Sequence, residues 1–153
     1  MILQFPSKEP FATGSITYTY APATPQDVTN RIQLPIVVTM DSSFETLAVL
    51  DTGAPYMILD PTIAETIGFR PEQSLGQISM QIRGQKMPGS LVRLNISLEA
   101  QQGQDLTVEA TTFIPNLKEQ WGNFPSFLGL SGFLERIRFA IDPLTNTFYF
   151  GSL

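Results

Sequence analysis

Short runs of β-forming residues recur along this chain at regular spacing, each closed by turn chemistry, and no other feature restricts its fold as much. Gly14 to Tyr20 (GSITYTY) alternates and reads as a strand. Ile32 to Met40 reads as another, Asp41-Ser42-Ser43 supplies a turn, and Phe44 to Leu50 returns as the second arm of a hairpin. Tyr56 to Leu59 is a short buried strand. Ile78 to Ile82 and Met87 to Leu98 are two arms around Arg83-Gly84-Gln85. Leu94 to Leu98 and Leu106 to Ile114 form a hairpin around the polar turn Gln101 to Gln104. Phe127 to Leu130 is a short apolar strand, and Phe139 to Ile141 and Thr147 to Phe150 close the chain around Asp142-Pro143. Two stretches read as short helices. Pro61 to Ile67 has Asp60 to cap it, Pro61 at its first position and Gly68 at its end; Phe133 to Ile137 is the other. Pro115 to Pro125 is a loop with the only tryptophan, Trp121. The sum predicts an all-β fold, a closed or partly closed β-barrel with one or two short helices. Residues 1–13 form an irregular N-terminal segment with Pro6 and Pro10, and residues 14–153 form one domain. No internal repeat or low-complexity segment is visible.

Composition narrows the chemistry. Charged residues make up 15 % of the chain, against about a quarter in typical soluble domains. So little charge hints that part of the surface is covered by a partner, although composition alone favours an ordinary β-rich domain with a neutral polar surface. The net charge is −5, and no basic stripe offers a nucleic-acid footprint. No apolar run reaches the ~20 residues of a membrane span, and MILQFPSKEPF lacks the basic start and apolar core of a signal peptide; the expected location is the cytoplasm. The chain has no Cys and no His. Disulfides, cysteine nucleophiles, Ser-His-Asp mechanisms and His-ligated zinc are therefore excluded. No metal or other cofactor is expected, and acid–base chemistry near neutral pH falls to carboxylates.

One carboxylate is oddly placed. In VLDTGAPYMILDP, residues 49–61, an apolar strand runs straight into Asp51, and apolar character resumes after Pro55. Asp51 could cap its own turn, the commonest use of Asp before Thr-Gly. It could ligate a metal, although no second ligand lies at useful local spacing. Or it could be a catalytic carboxylate at a buried strand end.

Val49-Leu50-Asp51-Thr52-Gly53-Ala54 resembles the active-site loop of retropepsin-like aspartic proteases. Phe127-Leu128-Gly129, directly before a short helix, is similar to the second motif of that family. The continuation LSGFLERIRFAIDP looks like the bacterial branch. Viral members have Arg and Asp or Asn after that Gly; Leu130 and Ser131 stand here, so the Arg's salt bridge has no counterpart. The resemblance covers roughly residues 30 to 151.

The resemblance implies an aspartic endopeptidase acting by a pair of carboxylates. One, ionised, takes a proton from water; the other, protonated, donates to the scissile carbonyl. Two unit charges ~3 Å apart at an effective dielectric of ~20 repel by roughly 5 kcal/mol, so the pair shares a proton, the behaviour for which aspartic proteases are the standard instance. The chain has only one Asp-Thr-Gly, since Asp27, Asp41, Asp60, Asp105 and Asp142 are each followed by other residues. The implied active form is a homodimer, with Asp51 and its symmetry mate on a two-fold axis, and the implied substrate is a peptide or polypeptide. The catalytic set is Asp51, Thr52, whose hydroxyl would bond across to the partner's backbone, and Gly53, whose N–H would go to a carboxylate. Pepsin-like enzymes often carry Ser or Thr where Ala54 stands. Ala54 has no hydroxyl to steady an ionised Asp, so activity is expected to peak in the mildly acidic range.

Such proteases cover the cleft with a β-hairpin flap. Residues 78–90, with Ile82 to Gln85 at the tip, are the candidate, and an ordinary surface hairpin is the competing reading. Gly76 leaves an earlier tip open. Met80 and Met87 would be adaptable apolar walls. Ala54, Pro55, Ile82, Arg83 and Gly84 are the expected substrate-binding residues; Pro55 stands where viral members have a substrate-binding Asp. Phe148, Tyr149 and Phe150 could form an interface sheet or a core-closing strand, and Trp121 a lid over a satellite core. The alternative function is a catalytically inactive relative that binds extended peptides or serves dimerisation.

Overall fold

The computed structural model describes residues 3–153. Its strands in chain order are β1 (Gly14–Thr17), β2 (Thr19–Ala21), β3 (Arg31–Thr39), β4 (Ser43–Leu50), β5 (Met57–Ile58), β6 (Gly76–Ile82), β7 (Gln85–Leu98), β8 (Gln102–Gly103), β9 (Leu106–Pro115), β10 (Ser126–Leu128), β11 (Ile137–Asp142) and β12 (Thr147–Ser152). Two short helices interrupt them, α1 (Pro61–Thr66) and α2 (Lys118–Trp121). The fold is thus mostly β with two short helices, as the sequence pattern predicts.

Hydrogen bonding sorts the strands into two sheets. Four strands pair in the order β11-β12-β1-β8 and eight in the order β2-β3-β4-β10-β5-β9-β7-β6. β3 also pairs with β7, through Val37 to Thr39 opposite Ser97 to Asn95. Strand pairing therefore leads from β3 through β4, β10, β5, β9 and β7 back to β3.

Period-2 patterning explains the longest strand. In β7, Val92, Leu94, Ile96 and Leu98 are buried, while Arg93 and Asn95 between them are exposed. They join Leu34, Ile36 and Val38 of β3, Phe133, Phe148 and Phe150 in the main core. Phe148 and Phe150 thus take the core-closing role, with β12 set between β11 and β1. A second cluster packs Val49, Ala54, Ile58, Met80, Ile82, Met87, Phe113, Trp121 and Phe127 together.

Several local expectations change. The run Gly14 to Tyr20 is two strands, because the chain breaks at Tyr18 and passes from one sheet to the other; Tyr18 is buried, and its N–H donates to the Asn146 carbonyl at 2.9 Å. The turn Gln101 to Gln104 contains β8, which pairs with Gly14 and Ser15. The loop from Pro115 to Pro125 holds α2, and Phe133 to Ile137 is a 3₁₀ turn over Leu134–Arg136. Tyr56 to Leu59 and Phe127 to Leu130 are each shorter than expected. α1 matches its signals: Asp60 Oδ1 accepts from the Thr62 N–H at 2.8 Å, Pro61 leads, and the helix ends before Gly68. Of the N-terminal segment, residues 3–13 are described; they contain a single bridge between Gln4 and Pro10.

Candidate active site

The site begins with the way β10 is threaded. β10 lies parallel to β4, with Ser126, Phe127 and Leu128 opposite Ala48, Val49 and Leu50, and antiparallel to β5 through Phe127 and Ile58. Its three residues are all buried. A central strand flanked on both sides suits this short apolar run. Where β4 ends, the Asp51 N–H still donates to the Leu128 carbonyl at 3.0 Å. The two sequence motifs are thereby clamped together at one strand end.

Gly129 makes that clamp possible. A Cβ added there would lie 2.0 Å from the Tyr56 carbonyl oxygen and 2.7 Å from that of Ala54. Past it, the Leu130 N–H donates to the Ala54 carbonyl at 2.7 Å, and the Gly132 N–H to that of Pro55 at 3.1 Å. The second motif thus holds the first motif's loop through backbone bonds.

Within the loop, Asp51 is half-buried and its Oδ1 accepts the Gly53 N–H at 2.9 Å. Its carbonyl accepts the Ala54 N–H at 3.1 Å. Oδ2 takes no hydrogen bond among the described residues, so one carboxylate oxygen is fixed and the other is available. Thr52 is exposed, and its hydroxyl has no partner among the described residues. Ala54 is buried in the second cluster.

A cavity of ≈190 Å³ opens at Asp51. Asp51, Gly53, Ala54 and Pro55 line it from the loop, and Met80, Gln81, Ile82 and Arg83 from the β6–β7 hairpin. Of the expected site residues, Asp51, Gly53, Ala54, Pro55, Ile82 and Arg83 come together here. Thr52 and Gly84 do not line the cavity; Thr52 is exposed in the turn, and Gly84 sits at the hairpin tip. A larger groove of ≈500 Å³ between Ile36, Leu47 and Ala100 contains no part of either motif.

The hairpin turns at Arg83-Gly84, with Ile82 opposite Gln85 and φ of +52° and +77°. Gly76 opens β6, so no earlier tip forms. Two-residue turns of this handedness want positive φ at both centres, which Gly adopts freely and Arg does not. The strain at Arg83 is opposed by two contacts. Its guanidinium lies 3.9 Å from Asp27 Oδ1 and 4.0 Å from the centre of the Phe124 ring. Asp27 Oδ2 accepts the N–H groups of Ala23 and Thr24 at 2.9 and 3.1 Å. Burial acts to raise the pKa of Asp27, but those two bonds and the charges of Arg31 and Arg83 outweigh it and hold the carboxyl below the usual carboxylate range.

The loop between β9 and β10 supports the hairpin from beneath. Trp121 is buried edge-on against Phe124 and Phe127, its indole N–H donating to the Phe124 carbonyl at 2.9 Å. Gln120 donates to the Lys86 carbonyl at 3.2 Å. Asp27, Arg31 and Phe124 were not foreseen. The only signal for Asp27 was its place in a Pro-rich loop, and nothing local joins it to a hairpin tip far along the chain. Among the described residues no cluster of three His, Cys, Asp or Glu could hold a metal ion, and no helix is long and apolar enough to cross a membrane.

Comparisons with known proteins bear on the family and the fold. The family model described as aspartyl protease matches residues 36–129, from β3 through Gly129. No curated protein matches the chain. The crystal structure of a retropepsin-like aspartic protease from Rickettsia conorii superposes with a TM-score of 0.53 at 18 % identity, over 90 % of each chain. With both motifs inside the matched span and the fold in common, the chain belongs to the aspartyl protease family and is retropepsin-like.

Proposed function

We propose that this chain is an aspartic endopeptidase that works as a homodimer, with water attacking a peptide bond between two copies of Asp51. The observation that carries the reading is the state of the Asp51 carboxylate. One oxygen is held by the Gly53 N–H, the other takes no hydrogen bond among the described residues, and the β6–β7 hairpin lines the cavity in front of it. A carboxylate meant only to tie its own turn needs no such cavity.

In the dimer, the two Asp51 side chains hold one proton between them. The ionised partner takes a proton from water as the oxygen attacks; the protonated one donates to the carbonyl oxygen as the tetrahedral centre forms. Collapse then expels the amine, which takes up a proton. The exposed Thr52 hydroxyl, without a partner among the described residues, supports a role across the two-fold. The β6–β7 hairpin would serve as the flap, with Ala54, Pro55, Ile82 and Arg83 bordering the substrate and Gly84 permitting the turn. The return of strand pairing from β7 to β3 supports a closed barrel as its frame. We take residues 14–153 as the protease domain and 1–13 as an irregular segment preceding it; Met1 and Ile2 lie outside the described residues.

Asp51→Asn tests the reading. It should abolish peptide cleavage while leaving the circular dichroism spectrum and dimer mass unchanged, since Asn Oδ1 can still accept from Gly53. Cleavage by the variant at the wild-type rate would remove the mechanism. Peptide binding without cleavage by the wild type, over a broad library and pH range, would instead favour the inactive relative.

A further inference from the structure

Two guanidinium groups border the cavity beside Asp51, and they are not equivalent. Arg83 is committed to Asp27 and to the face of Phe124. The Arg31 side chain makes no hydrogen bond or close ion pair among the described residues, although its charge acts on Asp27 ahead of that of Arg83. It begins β3, opposite Ala21. Further along, Gln33 lies opposite Val49 of β4. Extending that antiparallel register by two residues sets Arg31 level with Asp51, and both line the same cavity.

We propose that Arg31 determines specificity, reading a carboxylate on the substrate side chain that enters this cavity, glutamate in preference to aspartate. The inference rests on the peptidase reading above and names its substrate class. At ≈190 Å³ the cavity is smaller than the ~300–1,000 Å³ of small-molecule sites and suits one side chain. Its far wall is apolar, made by Ile58, Met80, Ile82 and Phe127. Such a wall suits a methylene stem and the guanidinium a carboxylate head, so the longer acid fits both. Arg presents planar paired donors to a carboxylate. The chain as a whole carries a net charge of −5, so a cation here whose donors have no close protein partner among the described residues marks one of the few places on it that attract an acidic side chain. A charge-assisted hydrogen bond contributes about 1.5–3 kcal/mol, or roughly ten- to hundredfold in kcat/KM.

The test uses three matched peptides, differing only by Glu, Gln or Lys beside the cleaved bond, with wild type, Arg31→Gln and Arg31→Glu. Wild type should cleave the Glu peptide at least about tenfold better than the Gln peptide. Arg31→Gln should erase that preference, and Arg31→Glu should shift it to Lys. Equal cleavage of Glu and Gln peptides by wild type overturns the proposal and leaves the peptidase intact. So does an Arg31→Gln variant that slows all three alike, or that weakens the dimer in sedimentation while keeping the preference. The three share a backbone sequence that wild type cleaves in the broad library; if that library yields none, the peptidase reading fails on its own. Binding of the same peptides to Asp51→Asn, followed by fluorescence anisotropy, then decides the role of Arg31: tighter binding of the Glu peptide supports it, and equal binding overturns it.

Discussion

At the scale of single residues, the Asp51 loop depends on two positions where side-chain size matters more than polarity. Gly53 brings its N–H to 2.9 Å from Asp51 Oδ1. Gly129 allows two carbonyls to approach where a methyl group would collide with backbone. Backbone cannot rotate aside as a side chain can, so Gly129→Ala must spread the loop or part β10 from its neighbours. Overpacking typically costs 1–3 kcal/mol, occasionally more, and this case belongs at or above about 3 kcal/mol. The midpoint of urea denaturation should fall accordingly, and cleavage should be lost even in conditions where the variant stays folded. A variant as stable and active as wild type would show that the two motifs are not clamped this way. Asp51 and Gly129 were both singled out in the sequence by motifs that resemble those of retropepsin-like proteases, although a turn cap was the commoner use of Asp51 on its local sequence alone. Arg31 was not, since its importance comes from a register between strands that no local pattern encodes.

At the scale of elements, the hairpin tip is held by parts that meet only in the fold. Arg83 adopts positive φ, which costs roughly 1–2 kcal/mol for a residue with a Cβ. Asn tolerates that conformation better. Arg83→Asn should therefore ease the turn while removing the contacts to Asp27 and Phe124. Global stability should stay within about 0.5 kcal/mol of wild type, whereas amide exchange at residues 82–85 should quicken. Arg83→Ala loses the contacts without relief of the turn, so its tip should exchange as fast and its stability should be lower. Similar exchange in all three proteins would mean that the ion pair does not hold the tip. The pH dependence has a definite sign. The folded-state pKa of Asp27 is depressed, so its contribution is complete above the ordinary value of 3.8 and is lost only as pH falls below that, through the folded pKa. Tip exchange, corrected for its intrinsic pH dependence, should stay flat from neutral pH to about 3.8 and rise in stronger acid. Most strands were legible because period-2 burial is written in their residues. The break at Tyr18, the pairing of β8 and the one turn of α2 were not, because tertiary neighbours decide them.

At the scale of the whole molecule, the proposed mechanism and the single Asp-Thr-Gly per chain would together make activity a property of pairs. An interface of standard size would cover ~800 Å² per partner, about a tenth of the 8135 Å² exposed by one chain. Thr52, within the first motif, and Leu130, just past the second, are exposed, and a two-fold axis at Asp51 would have to form its surface near them. Simple dilution can test this, but loss of activity on dilution also follows from adsorption or unfolding. Mixing is a stronger test. If wild type and Asp51→Asn exchange subunits freely, an equal mixture contains active chains paired at random, and only wild-type pairs have two ionisable groups at the axis. Activity per wild-type chain should then fall to roughly half, and further as the inactive chain is added in excess. Chains that worked alone would be indifferent to the inactive partner, and the activity would stay constant. The same mixture distinguishes a stable dimer from an exchanging one: if the fall develops slowly after mixing, its time course gives the dissociation rate, and brief warming before assay should hasten it.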